Sequence, residues 1–337
     1  MATIKDVAEL AQVSTATVSH VINNTRSVRS STKEKVNKAV KELNYKPNAI
    51  AQSLRNKKSK TIGLILPDNT NPYFAEIAWS IEYASRNNGY SVILCNSDGN
   101  SKREDFFIQL LIEKQIDGLI LVSAGESKQN LLKLQKINIP VVLVDRNSPE
   151  ISIDSVQIDN RAYGCIATKH LIALGHEKIA CITGPNNITP SYDRVIGYFN
   201  ALQEHCISIN KDYVIRGDFK PQGGYLACKA LMALPIPPTA VFACNDLMAY
   251  GVMRAIAEAD LVISHDISLI GFDDIYLSAY TNPPLTTIRQ PRMEMGQEAF
   301  RLLINRMVNP DDLTRTTLLD SKLITRSSTG RVIGGKE

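Results

Sequence analysis

The chain has 337 residues, 44% hydrophobic and 21% charged, with a net charge of +4. That length suits two or three domains of ~100–200 residues each, and the balance excludes wholesale disorder. No apolar run approaches the ~18 residues of a membrane span. Asp6 and Glu9 interrupt the stretch where a secretory leader needs an apolar core, so a cytoplasmic protein without a membrane partner is expected.

The six cysteines (Cys95, Cys165, Cys181, Cys206, Cys228, Cys244) are scattered without a paired spacing, as for reduced thiols in or near a cytosolic core. The charge is unevenly divided. Residues 1–60 hold 12 Lys and Arg against four Asp and Glu, a net of +8, so the remaining 277 residues carry −4. A small basic head on a slightly acidic body points to a polyanion partner for the head alone.

Three short amphipathic helices are predicted in the first 45 residues. Ile4, Val7, Ala8 and Ala11 fall at i, i+3, i+4, i+7, one buried stripe. Val18, Val21 and Ile22 form a second, entered through Ser14 as N-cap. Val36, Ala39, Val40 and Leu43 form a third, behind a capping-box spacing, Ser31-x-x-Glu34. Only Gln12 and Val13 separate the first two, the helix-turn-helix layout whose second helix can enter a major groove. The outward face of that helix (Thr15, Ala16, Ser19, His20, Asn23) is small or hydrogen-bonding and carries no carboxylate. A solvated polar face would read the same way; the charge asymmetry favours DNA.

Pro47-Asn48 resets the chain. Ile50 and Leu54 then lie i, i+4 on a segment too short to be a stable helix alone, beside the linker Asn56–Lys60. Two readings apply: packing against the next domain, or a hinge helix that forms on DNA with Leu54 as an apolar wedge between base steps.

Thr3–Ala8, Val13–Asn23 and Lys41–Tyr45 closely resemble the headpiece of the lactose/galactose-type repressors, and His20 is similar to the purine and ribose branch of that family. The resemblance implies a headpiece over 1–46, a hinge helix and linker over 47–60, and base contacts from Thr15, Ala16 and His20 with minor-groove intercalation by Leu54. The expected DNA-contacting set is Thr15, Ala16, Thr17, Ser19, His20, Asn23, Ile50, Leu54 and Arg55.

From Thr61 onward, β-branched runs (Thr61–Leu66, Tyr90–Cys95, Gly118–Val122, Val141–Val144, Lys178–Ile182, Thr239–Ala243, Ile267–Gly271) alternate with amphipathic stretches such as Tyr73–Arg86 and Arg161–Leu174. Strict alternation predicts parallel sheets with helices on both faces, and the length favours two lobes around a cleft. Polar residues recur at predicted strand ends, where open α/β sheets bind ligands: Asn71, Asp145-Arg146, Asn245-Asp246 and Asp273-Asp274. Arg194 is placed at the start of a helix, and Gln290 follows the run Leu285–Ile288. With Tyr73, Phe74 and Phe219 these suit a sugar, planar polar groups meeting hydroxyls and aromatics covering the ring. Singly, each is an ordinary turn or cap residue.

The body also resembles the two-lobed periplasmic sugar-binding proteins. That resemblance implies an N-lobe of about 61–159 plus 291–320, a C-lobe of about 160–290 plus 321–332, and effector contacts from Asn71, Tyr73, Phe74, Asp145, Arg146, Arg194, Phe219, Asn245, Asp273 and Gln290. Arg146 stands where the purine and ribose branch carries Trp. The expected protein is a homodimeric repressor on a palindromic operator, with ribose or a related pentose as inducer. The alternatives are a purine corepressor and, as in catabolite-control members, a phosphorylated carrier-protein partner. The five histidines (His20, His170, His176, His205, His265) show neither metal spacing nor a nucleophile motif, so no enzyme, metal or cofactor is expected. A transport-associated binding protein would carry a leader and lack the basic head.

Overall fold

The computed structural model describes residues 2–45, 58–122, 132–135, 139–145, 152–185 and 188–332. The expectations for Ile50, Leu54, Arg55, the hinge helix and Arg146 therefore lie outside the described residues. The chain divides into two compact units at Ser59/Lys60.

In the first unit, α1 (Ile4–Leu10), α2 (Thr15–Asn23) and α3 (Ser30–Glu42) close over Val7, Val18 and Val36, one fully buried valine from each helix. Ser14 caps α2, its hydroxyl accepting from Thr17 N at 3.1 Å. Two expectations are corrected. Ala11 caps α1, so the turn to α2 is longer than two residues. The capping box expected at Ser31/Glu34 is absent: α3 has already begun at Ser30, which puts Ser31 inside the first turn, and Arg29 in the cap position offers no side-chain bond. The reciprocal box is instead at α1, where Thr3 Oγ1 accepts from Asp6 N and Asp6 Oδ2 accepts from Thr3 N.

The second unit carries two six-stranded sheets. The N-lobe sheet is built from β1 (Thr61–Leu66), β2 (Ser91–Asn96), β3 (Gly118–Val122), β4 (Val141–Val144), β5 (Asp154–Ile158) and β11 (Thr316–Leu319), in the order β11-β5-β4-β3-β1-β2, all parallel. Strands β3 and β4 are buried throughout, because helices cover both faces of a parallel sheet. Around it run α4 (Pro72–Asn87), α5 (Ser101–Glu113) and α10 (Arg292–Val308).

The C-lobe sheet holds β6 (Ile179–Thr183), β7 (Val214–Arg216), β8 (Ala240–Ala243), β9 (Ser268–Asp273), β10 (Thr286–Arg289) and β12 (Lys322–Ile324), in the order β12-β10-β9-β8-β6-β7. Its helices are α6 (Asn160–Ala173), α7 (Thr189–Glu204), α8 (Pro221–Met232) and α9 (Asp246–Glu258). The expected parallel pattern is broken by β12, which returns antiparallel to β10.

Two helix pairs in this lobe pack backbone to backbone. A Cβ on Gly164 of α6 would lie 2.4 Å from the Arg194 carbonyl of α7, and one on Gly251 of α9 would lie 1.8 Å from the Pro221 carbonyl of α8. The chain passes between the lobes three times, at Ile158–Asn160, Arg289–Arg292 and Leu319–Lys322.

Candidate functional site

On α2, Thr15 and Ala16 are exposed and Thr17, His20 and Asn23 half-buried. His20 Nδ1 pairs with Thr25 Oγ1 at 2.9 Å, which holds the ring in one orientation. Ser19 is the least exposed of the expected residues on α2. It is buried beside the Val18 stripe, and its carbonyl and hydroxyl both accept from Asn23 Nδ2, at 2.9 and 3.2 Å. These bonds brace the last turn of the helix, while Thr15 and Ala16 stand exposed at its start.

In the second unit a cleft of about 950 Å³ opens at the carboxyl ends of strands from both sheets. Asn71, Tyr73 and Phe74 line it after β1, Asp145 after β4, Phe219 after β7, Asn245 after β8 and Asp273 at the end of β9, with Arg194 from α7. Gln290 is not among the lining residues; it sits behind Tyr73 and Asp273. Asp145, Phe219 and Asp273 all have positive φ (56°, 64° and 120°), a conformation that non-glycine residues hold where the surrounding structure fixes it, commonly at functional sites.

Arg194 lies in the second turn of α7 rather than at its start, since Thr189-Pro190 begins that helix. Its guanidinium is fully engaged on one side. Nε donates to Asn160 Oδ1 at 2.8 Å, Nη1 donates to the Cys244 carbonyl at 2.7 Å, and the plane lies 3.8 Å over the Phe272 ring. Its Nη1 stands 3.8 Å from Asp273 Oδ1. Asp273 Oδ1 also accepts from Gln290 Nε2 at 2.7 Å, while Gln290 Oε1 accepts from the Tyr73 hydroxyl at 3.0 Å. Tyr73 and Gln290 thus form a chain to Asp273, and the Tyr73 hydroxyl lies beside Asp145 as well.

Burial pushes the Asp273 carboxyl up to about 8, with Arg194 pulling down and Asp246 pushing up. Asp145 is raised for the same reason, against Arg194, Tyr73 and Asn160. Its Oδ1 is fully buried and has no hydrogen-bond partner. An acceptor left so in a ligand-sized cleft is the kind of group a ligand donor completes.

Several polar residues at the strand ends also hold the site together. Asn245 caps α9 by accepting from Met248 N at 2.9 Å and donates to the Phe219 carbonyl at 3.0 Å. Asp246 accepts from Ile275 N, Ser278 Oγ and Thr287 Oγ1, and Asp274 is tied to Arg289 and Arg326, both at 2.6 Å. Asn160, which sequence reasoning missed, is buried at the first crossing between the lobes and contacts both Arg194 and Asp145. Its signal was present: Asp159-Asn160 is another polar pair after a strand, hidden because β5 itself was not recognised. Among the described residues no group of three or more His, Cys, Asp or Glu could hold a metal, and no helix is long and apolar enough to cross a membrane.

A helix-turn-helix head joined to a two-sheet body with a polar cleft is the build of a transcription regulator that carries its own ligand-binding module. Residues 3–48 match the profile of bacterial regulatory proteins of the lacI family, and residues 59–327 match that of periplasmic binding proteins and the sugar-binding domain of the LacI family. The chain belongs to the LacI family and is a DNA-binding transcriptional repressor. It is 41% identical to the ribose operon repressor of Haemophilus influenzae, covering 97% of this chain and 98% of that one. It is 40% identical to the HTH-type transcriptional repressor PurR of Photobacterium profundum, again covering 97% and 98%. Its structure matches the lac repressor dimer bound to operator and the anti-inducer ONPF with a TM-score of 0.90 at 31% identity, over 98% and 99% of the two chains.

Proposed function

We propose that this repressor acts in the cytoplasm as a homodimer on a palindromic operator and is released when ribose or a closely related pentose binds between the lobes. The observation that carries the effector reading is the donor-and-acceptor set of the cleft. Asp145 and Asp273 accept, Arg194 donates between them, and Phe74 and Phe219 offer ring faces, a pattern that answers vicinal hydroxyls. The similarity to the Haemophilus ribose operon repressor supports it. A purine corepressor is the second reading, favoured by the near-equal similarity to PurR.

The dimer reading is supported by apolar side chains left on the surface. Trp79 and Tyr83 of α4 stack at 5.4 Å while 54% and 40% exposed, and Ile93 and Leu94 lie exposed on the neighbouring edge strand β2. Two-fold pairing through such a face would present two heads to one palindrome. In this reading Leu54 wedges a central base step, with Ile50 and Arg55 in the same segment, and closure of the lobes on the sugar alters the spacing of the two hinges.

The deciding experiment selects an operator from random DNA with the full chain, then titrates the complex with D-ribose, other pentoses, hypoxanthine and guanine. Release by ribose is expected, with operator affinity falling steeply as salt rises. Tightening by a purine with no response to pentoses would reverse the effector assignment. In the same selection, His20→Ala is expected to relax the base preference at one symmetric position, at ~1–3 kcal/mol. An unchanged selected sequence would remove His20 from the base-reading set.

A further inference from the structure

The cleft holds more buried carboxylate than cation to match it. Asp145 comes from the N-lobe and Asp273 from the C-lobe, and Arg194 is the guanidinium that serves both. Half of Arg194 is already committed to Asn160 and the Cys244 carbonyl.

Facing Asp273 are Arg194 from α7, Asp246 from α9, Gln290 behind it, and Arg292 at the start of α10, whose Nη1 donates to the Asp273 carbonyl while its Nε holds Glu76 at 2.7 Å. Tyr73 of α4 and Tyr250 of α9 feel the same charge, and burial raises both phenols, so neither is a source of countercharge. The adjacent Asp274 has its own partners in Arg289 and Arg326. Facing Asp145 are Arg194, Tyr73 and Asn160, and Asp145 Oδ1 has no donor. Two buried carboxylates that share the partly committed Arg194, with Arg292 bonded to the Asp273 backbone and to Glu76 rather than to either carboxylate, do not both ionise without further donors.

We propose that the ligand-free cleft stores one proton on the Asp145–Asp273 pair, and that a hydroxyl-bearing effector binds with release of that proton to solvent. The ligand supplies the missing donors: its hydroxyls donate to the carboxylate oxygens and keep their own protons, the carboxyl O–H bond breaks, and the proton leaves to buffer. No covalent bond to the ligand forms. The inference rests on the pentose reading only for the choice of probe.

Burial supports the same picture, since it pushes Asp273 up to about 8 and raises Asp145 as well. A ligand that selects the ionised pair must displace the proton below that pH and need not above it. Effector affinity is therefore expected to rise about tenfold per pH unit through the neutral range and to level off above about 8. The consequence is a repressor whose inducer weakens as its surroundings acidify.

The test has two arms on the full chain. Infrared difference spectra of the ligand-free protein between pH 6.5 and 9 should show a protonated carboxyl band that is lost on raising the pH and is missing or displaced in Asp273→Asn. Calorimetry with D-ribose at pH 7, in buffers of differing ionisation enthalpy, should show about one proton released per site. Lack of the carboxyl band at pH 6.5, or ribose binding with no proton exchange and a flat pH profile, overturns the proposal. If ribose gives no heat while the band is present, it is the pentose reading that fails, and the same buffer series with hypoxanthine then decides proton release.

Discussion

Arg194→Met is expected to remove the effector response while the protein still binds its operator. The residue is 3% exposed, so loss of its side chain leaves Asp145 and Asp273 without their shared cation and strips Asn160 Oδ1 and the Cys244 carbonyl of their donors. Removing one member of a buried charged cluster costs ~3–5 kcal/mol when the others remain charged. Here protonation of the carboxylates limits the stability loss, and a proton on each turns one acceptor oxygen into a donor and removes the charge that sugar hydroxyls meet. Effector affinity should fall by at least ~100-fold, about 3 kcal/mol, with a smaller drop in melting temperature. Calorimetry and operator anisotropy on the same preparation check both halves. Wild-type effector affinity in this variant would remove Arg194 from the site.

Gly164→Ala is the conservative change outside the cleft with the most direct route to the site. The added methyl would stand 2.4 Å from the Arg194 carbonyl and 2.8 Å from its Cα, and a backbone cannot turn aside as a side chain does. Gly197 on the facing helix is equally close to Arg161 O, at 2.2 Å, so α6 and α7 have no slack in which to re-register. Overpacking of this kind costs ~1–3 kcal/mol and more where backbone must move. The shift is delivered to Arg194 itself. The expected result is a melting temperature lower by several degrees together with an effector affinity down by about tenfold or more. Loss of stability with effector affinity intact would show that the helix contact does not set the guanidinium's position.

The clearest strands in the sequence are those buried on both faces. Gly118–Val122 and Val141–Val144 are unbroken apolar runs, and a parallel sheet between helix layers demands that pattern. Strand β5 was not legible, because Asp154 and Ser155 interrupt it. Both are buried with partners far along the chain: Asp154 accepts from Arg306 and Ser155 donates to Thr316. Local patterning has no access to such pairing, and losing β5 hid Asn160 behind it. The cleft residues were readable as polar side chains after strands, but their division of labour was not. Asn245 as a helix cap and Asn245 as a cleft residue are the same letters, and only the bonds to Met248 and Phe219 reveal the first role beside the second. The reversed β12 had no signal in a search for alternation, since three residues pairing antiparallel with β10 need no helix before them.

The three passages of the chain between the lobes also govern the order in which the protein can be completed during synthesis. The headpiece is local, with all three of its helices present once Glu42 has been added. The N-lobe is different. Its first five strands are made by Ile158, yet α10 and the edge strand β11 arrive only with residues Arg292–Leu319. Until then Met295, Phe300 and Leu303 are missing from the core that holds Ile62, Ile77 and Val142, and one edge of the sheet is unpaired. The C-lobe, inserted between these two pieces, has all but β12 in one continuous stretch and can close earlier. A ribosome stalled shortly before Arg292 would therefore carry a nearly finished second lobe and an open first one, and nascent chains at that length are the ones in greatest need of a chaperone.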